Sequence, residues 1–279
     1  MTNEEAIQLV CLEPLAILDV PPVECVDLAA AAGFRSMSLW VQSPRADYEV
    51  TCKVEPGATA RLVAERLRSH GIRVRNLEVF RVEGSTDISA FAPSLELGAR
   101  LGASSATVIL RDDSPQILDK FVALCQLAAQ FDLRMNIEFL SYFGVCSLSQ
   151  ALAVALSARQ PNAGVLLDLL HLVRSGATMD EVAQVDPGLI GHAQLCDGPA
   201  VMSDEDLYRE SAADRMLPGT GDFPVRDFVG CLPPVALGLE IPRSSSAFQG
   251  LCPGERVQHL MRATRQLFGE ATDGHSPAI

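Results

Sequence analysis

The feature that most constrains this chain is an alternation of short β-rich runs with helical stretches of ten or more residues, the pattern of parallel strands joined by crossover helices. Eight such pairs follow one another. Strands are expected over residues 7–13 (IQLVCLE), 35–41 (RSMSLWV), 74–82 (VRNLEVFRV), 105–111 (SATVILR), 134–140 (RMNIEFL), 164–170 (GVLLDLL), 191–197 (GHAQLCD) and 235–241 (VALGLEI). Between them, PVECVDLAAAAG and ATARLVAERLRSHG close on Gly33 and Gly71, which suit a left-handed helix C-cap. Eight βα units predict an α/β fold of the (β/α)8 TIM barrel type. No Pro/Ser-rich linker divides the chain, and 279 residues fit one such barrel as a single domain over 1–279. The longest irregular piece, residues 198–224, follows the seventh strand, where barrel loops form the catalytic face.

Polar residues interrupt the apolar runs near the carboxyl ends of four successive strands. They are Glu138 in NIEFL, Asp168 in LLDLLH, Gln194 with Asp197 in HAQLCD, and Glu240 in GLEIP. Taken singly, each reads as a helix cap or the partner of a surface cation. In a barrel, however, the four ends converge on one mouth. Three carboxylates meeting there without a counter-charge would repel until some became neutral, and a divalent cation removes that conflict. Three carboxylates and an amide carbonyl form an all-oxygen set suited to Mg²⁺ or Mn²⁺.

Composition narrows the partners. A net charge of −13 argues against nucleic acid and anionic membranes, which call for a basic surface. The eight cysteines are scattered without a CxxC pair, as expected of reduced thiols in a cytoplasmic protein. The opening MTNEEAIQLV has acids where a signal peptide has Lys or Arg, and no apolar run reaches membrane-spanning length. A small-molecule substrate is the remaining expectation.

The order of Glu138, Asp168 with His171 three residues on, the HAQLCD strand and Glu240, together with RMLPGTGDFP before the last strand, resembles the xylose-isomerase-like TIM barrels. These sugar phosphate isomerases and epimerases include inositol-catabolism enzymes, ketose 3-epimerases, hydroxypyruvate isomerase and bacterial 3-dehydroshikimate dehydratases. AAAAGF before the second strand and NLEVFRV as the third extend the likeness over essentially the whole chain. The resemblance implies metal ligands at Glu138, Asp168, Gln194 and Glu240, and a homodimer as an expected assembly. Gln194 departs from the His most sugar epimerases have there and resembles the dehydratase branch. His192 shares its strand face and reads as a hydrogen-bonded core residue, with the role of alternative ligand as the other reading. The AP endonucleases, also related, need more His ligands than His70, His171, His192, His259 and His275 can supply.

The resemblance further implies a function: a metal-dependent isomerase or epimerase of a small sugar or polyhydroxy ketone, working through an enediolate. Glu138 and Glu240 match the paired glutamates that remove and return the proton, and His171 matches the substrate-contacting histidine, with capping of LVRSG as its structural alternative. Asp197 has the position that supports a loop or binds substrate. Arg215, at the head of RMLPGTGDFP, is expected either to neutralise a substrate carboxylate or phosphate or to pin its loop to the acidic surroundings. Glu78 could reach the mouth or form a salt bridge within the barrel, and Trp40 could floor the pocket or pack in the core. Two alternatives stand beside the isomerase: a metal-dependent dehydratase resembling 3-dehydroshikimate or 2-keto-inositol dehydratases, and a barrel without catalysis that serves as a binding protein or subunit.

Overall fold

The computed structural model describes residues 3–43 and 50–269. Residues 44–49 of the WVQSPRADYEVT loop and His275 lie outside the described residues. Eight strands are present: β1 (Val10–Leu12), β2 (Ser36–Trp40), β3 (Arg73–Val82), β4 (Ser105–Leu110), β5 (Arg134–Glu138), β6 (Ala163–Asp168), β7 (Ile190–Leu195) and β8 (Leu237–Leu239). Each pairs in parallel with its sequence neighbour, and β8 returns to β1, closing the expected TIM barrel. Every residue of β2, β4 and β6 is buried, because one strand face fills the barrel and the other packs beneath helices. Gly33 and Gly71 have the left-handed conformation expected of them, with φ of 89° and 67°.

Most strands begin and end within two residues of expectation, and three of the departures bear on the fold and site. Residues 7–9 belong to a helix, Asn3–Leu9, and only Val10–Leu12 form β1. Its NEEAIQL sequence is rich in Glu, Ala, Gln and Leu, so helix propensity prevails over the apolar spacing. β8 shrinks to Leu237–Leu239, preceded by a turn in which Val235 N–H donates to Pro233 O. After β6 the chain enters a helix, Leu169–Arg174, with no loop residue between. Asp168 is its N-cap, the Oδ1 accepting from Leu170 N–H at 2.9 Å.

Below the mouth, the barrel interior holds a polar network around Glu78 and Glu13, in which Glu13 Oε2 is buried without a hydrogen-bond partner. Asn76 Nδ2 donates to Glu78 Oε1 (2.8 Å) and Thr107 Oγ1 (2.6 Å), and Thr107 Oγ1 donates to the same Glu78 oxygen (2.9 Å). Across the barrel, His192 Nε2 meets Glu13 Oε1 at 2.7 Å. That pair explains Gly238 on β8, where a Cβ would lie 2.1 Å from the Glu13 oxygen. His192 is thus the hydrogen-bonded core histidine anticipated for it.

The stretch after β7 is folded over the mouth. It contains the helix Leu207–Ala213, clamped by Arg174, whose Nε and Nη2 reach Glu210 Oε2 and Oε1 at 2.7 and 2.5 Å. The same guanidinium lies 4.9 Å from the Phe223 ring centroid and donates to Pro199 O. All eight cysteines are unpaired. Among the described residues, no helix is long and apolar enough to cross a membrane.

Candidate active site

Register brings the strand-end residues together. Asp168 at the end of β6 lies opposite Gln194 on β7, and Gln194 lies opposite Gly238, two residues before Glu240. Glu138 ends β5 opposite Leu166. Glu138, Asp168 and Glu240 retain no more than 6% of their surface, and Gln194 and His171 none. Carboxylates at such depth are rare without a partner.

Their partner is Arg215. Its Nη1 donates to Asp168 Oδ2 at 2.7 Å and lies 2.8 Å from Glu240 Oε2, while Nε donates to Ser211 O. Of the two expectations for Arg215, these contacts match the second, a guanidinium that pins its loop to the acidic surroundings. The physical reason is charge: with three buried acids at one point, the long loop supplies the nearest fixed cation.

One guanidinium does not balance three carboxylates. Burial, then the charge on Asp168, pushes Glu138 up to about 8 despite the opposing pull of Arg215 and Arg81. Burial also holds Glu240 well above the usual carboxylate range, more than Arg215 can offset. Asp168 is different. Burial raises it, but Arg215, His171 and hydrogen bonds from Arg215 and Leu170 outweigh that, leaving it below the ordinary value and ionised. His171 is driven down to about 4, mainly by burial, so its ring is neutral. It sits in the helix Leu169–Arg174, with Nε2 3.8 Å from Asp168 Oδ2 and 3.3 Å from Ser211 Oγ.

The donors present fit a divalent cation. Glu138, Asp168 and His171 each bring a ligand atom within 4.8 Å of the others. Gln194 donates through Nε2 to Glu240 Oε1 at 3.1 Å, which leaves its Oε1 buried without a hydrogen-bond partner. An unpaired amide oxygen beside an excess of carboxylate is a donor set short of positive charge. Arg215 competes with such a cation for Asp168 and Glu240, so the four expected ligands are not equally open.

The remaining residues divide by position. Trp40 and Glu78 line the cavity at the mouth with Glu138, Arg81, Tyr142 and Tyr208. Trp40 both floors this cavity and is 94% covered by the core. Glu78 has no cation partner among the described residues: burial, then Glu13, holds its carboxyl well above the usual range, correcting the salt-bridge reading. Asp197 lies beneath the loop. Its Oδ1 accepts from Gly198 and Phe223 N–H and its Oδ2 from Gly219 N–H, at 2.8 to 2.9 Å, which matches the loop-supporting alternative. Gly219 turns there with φ of 85°.

Sequence reasoning missed Arg81, Tyr142, Tyr208 and Ser211. Arg81 left a signal, a charge within the apolar VFRV of β3, of the kind that revealed Asp168. The other three come from segments without periodicity. Ser211 accepts a hydrogen bond from Tyr142 Oη (3.0 Å) and so ties the β5 loop to the long loop.

Comparison with solved structures places the barrel among known folds. A xylose isomerase-like TIM barrel/4-hydroxyphenylpyruvate dioxygenase fusion protein superposes with a TM-score of 0.77 at 18% identity, covering 93% of this chain; the chain spans 43% of the fusion protein. The IolI protein with a bound zinc atom gives 0.73 at 17% identity, covering 93% of this chain and 97% of IolI. The probable 3-DHS dehydratase AsbF of Bacillus anthracis, involved in petrobactin synthesis, gives 0.68 at 16%, with 91% and 97% covered. Comparison with curated proteins finds no match. The sequence profile of the xylose isomerase-like TIM barrel matches residues 26–266. The chain therefore belongs to the xylose isomerase-like TIM barrel family.

Proposed function

We propose that this barrel is a metal-dependent isomerase or epimerase of a small hydroxy-carbonyl compound, removing a proton next to the carbonyl to give an enediolate. The observation that carries this reading is that one guanidinium, Arg215, meets both Asp168 and Glu240, while Glu138 lies within reach of Asp168 and Gln194, bonded to Glu240, keeps its Oε1 without a partner. Glu138, Asp168, Gln194 and Glu240 would hold Mg²⁺ or Mn²⁺. When bound, the cation supplies Lewis acidity that stabilises negative charge growing on the carbonyl oxygen.

The chain's own groups account for the proton. Without a cation Glu138 is held at about 8; a bound cation lowers it, and its unligated oxygen is then the general base. Glu240 directly follows β8, three strands further round the barrel, and faces the same cavity. One glutamate takes the proton and the other returns it. Arg215 steadies Asp168 and Glu240, while neutral His171 offers a hydrogen bond to a substrate oxygen. The loop anchored by Asp197 and the Arg174–Glu210 pair limits water.

A second reading, dehydration, is favoured by Gln194 in place of imidazole and by His171, whose buried Nδ1 is unpartnered and can hydrogen-bond a departing β-hydroxyl. Incubation with Mn²⁺ and candidate α-hydroxyketones in deuterated water separates the two. Deuterium at the α-carbon of substrate or isomer is the expected result, falling about 10²–10⁴-fold in Glu138→Gln or Glu240→Gln. An unsaturated product would establish dehydration instead. No exchange and no elimination, with or without cation, would leave the non-catalytic barrel as the better reading.

A further inference from the structure

Three consecutive serines, Ser244 to Ser246 in the loop after β8, have no part in the proposed chemistry, yet all three reach across to the stretch that carries Arg215. Ser244 Oγ donates to Ala213 O at 3.0 Å and Ser245 Oγ to Arg215 O at 2.6 Å. Ser246 donates through N–H and Oγ to Asp214 Oδ1 at 3.1 and 2.9 Å. Ser245 is the buried member, 2% exposed, and its Oγ also accepts from Ala247 N–H. On the other flank, Met216 is bridged to Asp197 by two backbone hydrogen bonds of 2.9 Å. Residue 215 lies in no helix or strand, and its backbone is nevertheless held from both sides. Its side chain is held as well, with Nε donating to Ser211 O at 2.9 Å.

That anchorage sets a guanidinium on the oxygens a cation would need. Asp168 Oδ1 is taken by Leu170 N–H, and Glu240 Oε1 by Gln194 Nε2. The oxygens left over, Asp168 Oδ2 and Glu240 Oε2, are the two that Arg215 Nη1 meets at 2.7 and 2.8 Å. Two positive charges cannot share them at this depth without strong repulsion.

We infer that Ser245, with Ser244 and Ser246 beside it, positions Arg215 as a built-in competitor of the divalent cation, so that the loop leaving β8 sets how tightly the mouth holds its metal. The inference rests on the proposed function for the cation and not for the reaction. Glu240 and the serines belong to one segment, residues 240–246, so the strand end that supplies a ligand also anchors the rival for that ligand. In the metal-free barrel the guanidinium is the counter-ion that keeps two buried acids from standing unpaired. Its occupancy of Oδ2 and Oε2 lowers the fraction of molecules open to a cation, and apparent affinity falls by that fraction. Loosening Arg215 therefore raises cation affinity, and by linkage a bound cation loosens Arg215 in equal measure. Ser245 acts only through Arg215 and is a positioning residue.

The test is calorimetric titration of the full chain, stripped with chelator and dialysed, with Mn²⁺, for the parent, Ser245→Ala, Ser245→Thr and Arg215→Met. Water exchange of the Arg215 Nε–H is followed by NMR in the metal-free protein, the signal being assigned by its loss in Arg215→Lys. Ser245→Ala should bind Mn²⁺ about 2–10-fold more tightly than the parent, the range set by one hydrogen bond, and its Arg215 Nε–H should exchange faster. Ser245→Thr keeps the hydroxyl and should match the parent in both readings. Arg215→Met should bind more tightly than Ser245→Ala; if thermal unfolding shows that it does not fold, the two Ser245 variants decide the matter alone. Equal or weaker Mn²⁺ binding in Ser245→Ala, a gain in affinity with Arg215 exchange unchanged, or a gain that Ser245→Thr shares would overturn the inference and leave the proposed function standing. The affinity pattern in a protein that exchanges no deuterium would count against the proposed reaction and leave the role of Ser245 standing. Failure of every variant to bind Mn²⁺ would overturn both.

Discussion

At the residue scale, the sequence made the acids legible and hid what neutralises them. Glu138, Asp168, Gln194 and Glu240 betray themselves because a polar residue inside an apolar strand has no cheap structural explanation once four align. Arg215 carries no such mark, since an arginine in a loop is ordinary until the chain folds back, and its contacts with Asp168 and Glu240 depend on a loop path that no periodicity encodes. Glu78 gives a prediction at this scale. Its carboxyl is held above the ordinary value of about 4.5, so the folded chain retains a proton that the unfolded chain releases. Stability from this group is therefore greatest below about pH 4.5 and declines as pH rises toward the folded pKa. Glu78→Gln keeps an acceptor for Asn76 and Thr107 and removes the ionisation. With chelator present, the variant should match the parent's melting temperature at pH 4 and exceed it at pH 8. Equal melting temperatures at pH 8 would mean that Glu78 ionises in the barrel without cost.

At the element scale, strands whose ends carry the site were readable, and their exact stops were not. β6 was expected to run to residue 170, yet Asp168 caps a helix that begins at Leu169. LLDLLH is apolar on either period, so capping chemistry, not hydrophobicity, decides where the strand gives way. That early helix turns His171 toward Asp168 and Ser211 and presents Arg174 to Glu210 on the covering helix Leu207–Ala213. The Arg174–Glu210 pair is buried, and removing either partner strands the other charge, a loss of about 3–5 kcal/mol. Arg174→Met and Glu210→Gln should each lower stability on that order and increase proteolytic cutting within residues 198–224. The double variant should cost less than the two losses added, because no lone charge remains. Additive losses would show that the clamp acts through packing on Phe223 and not through the pair.

At the scale of the whole molecule, the closed barrel ties the mouth to global stability. β8 completes the ring with three residues, Leu237–Leu239, and Glu240 follows directly, its N–H still donating to Leu195 O across β7. The acids at the mouth therefore sit on the strand that closes the fold, and the proposed cation, by favouring their ionised form, should stabilise the whole barrel. A ligand present at about 100 times its dissociation constant stabilises the folded state by about 2.7 kcal/mol, provided the unfolded chain does not bind it. For a chain of this length that corresponds to a rise of roughly 5 °C in melting temperature. Mn²⁺ and Mg²⁺ should each give such a rise, chelator should reverse it, and Ca²⁺, which prefers more ligands than this mouth offers, should give less. Gln194→Ala removes the unpaired oxygen while leaving three carboxylates, and should reduce the cation-dependent rise more than it changes the melting temperature in chelator. A melting temperature indifferent to every divalent ion would show instead that Arg215 alone neutralises the mouth, with Glu138 and Glu240 kept as neutral acids by their burial.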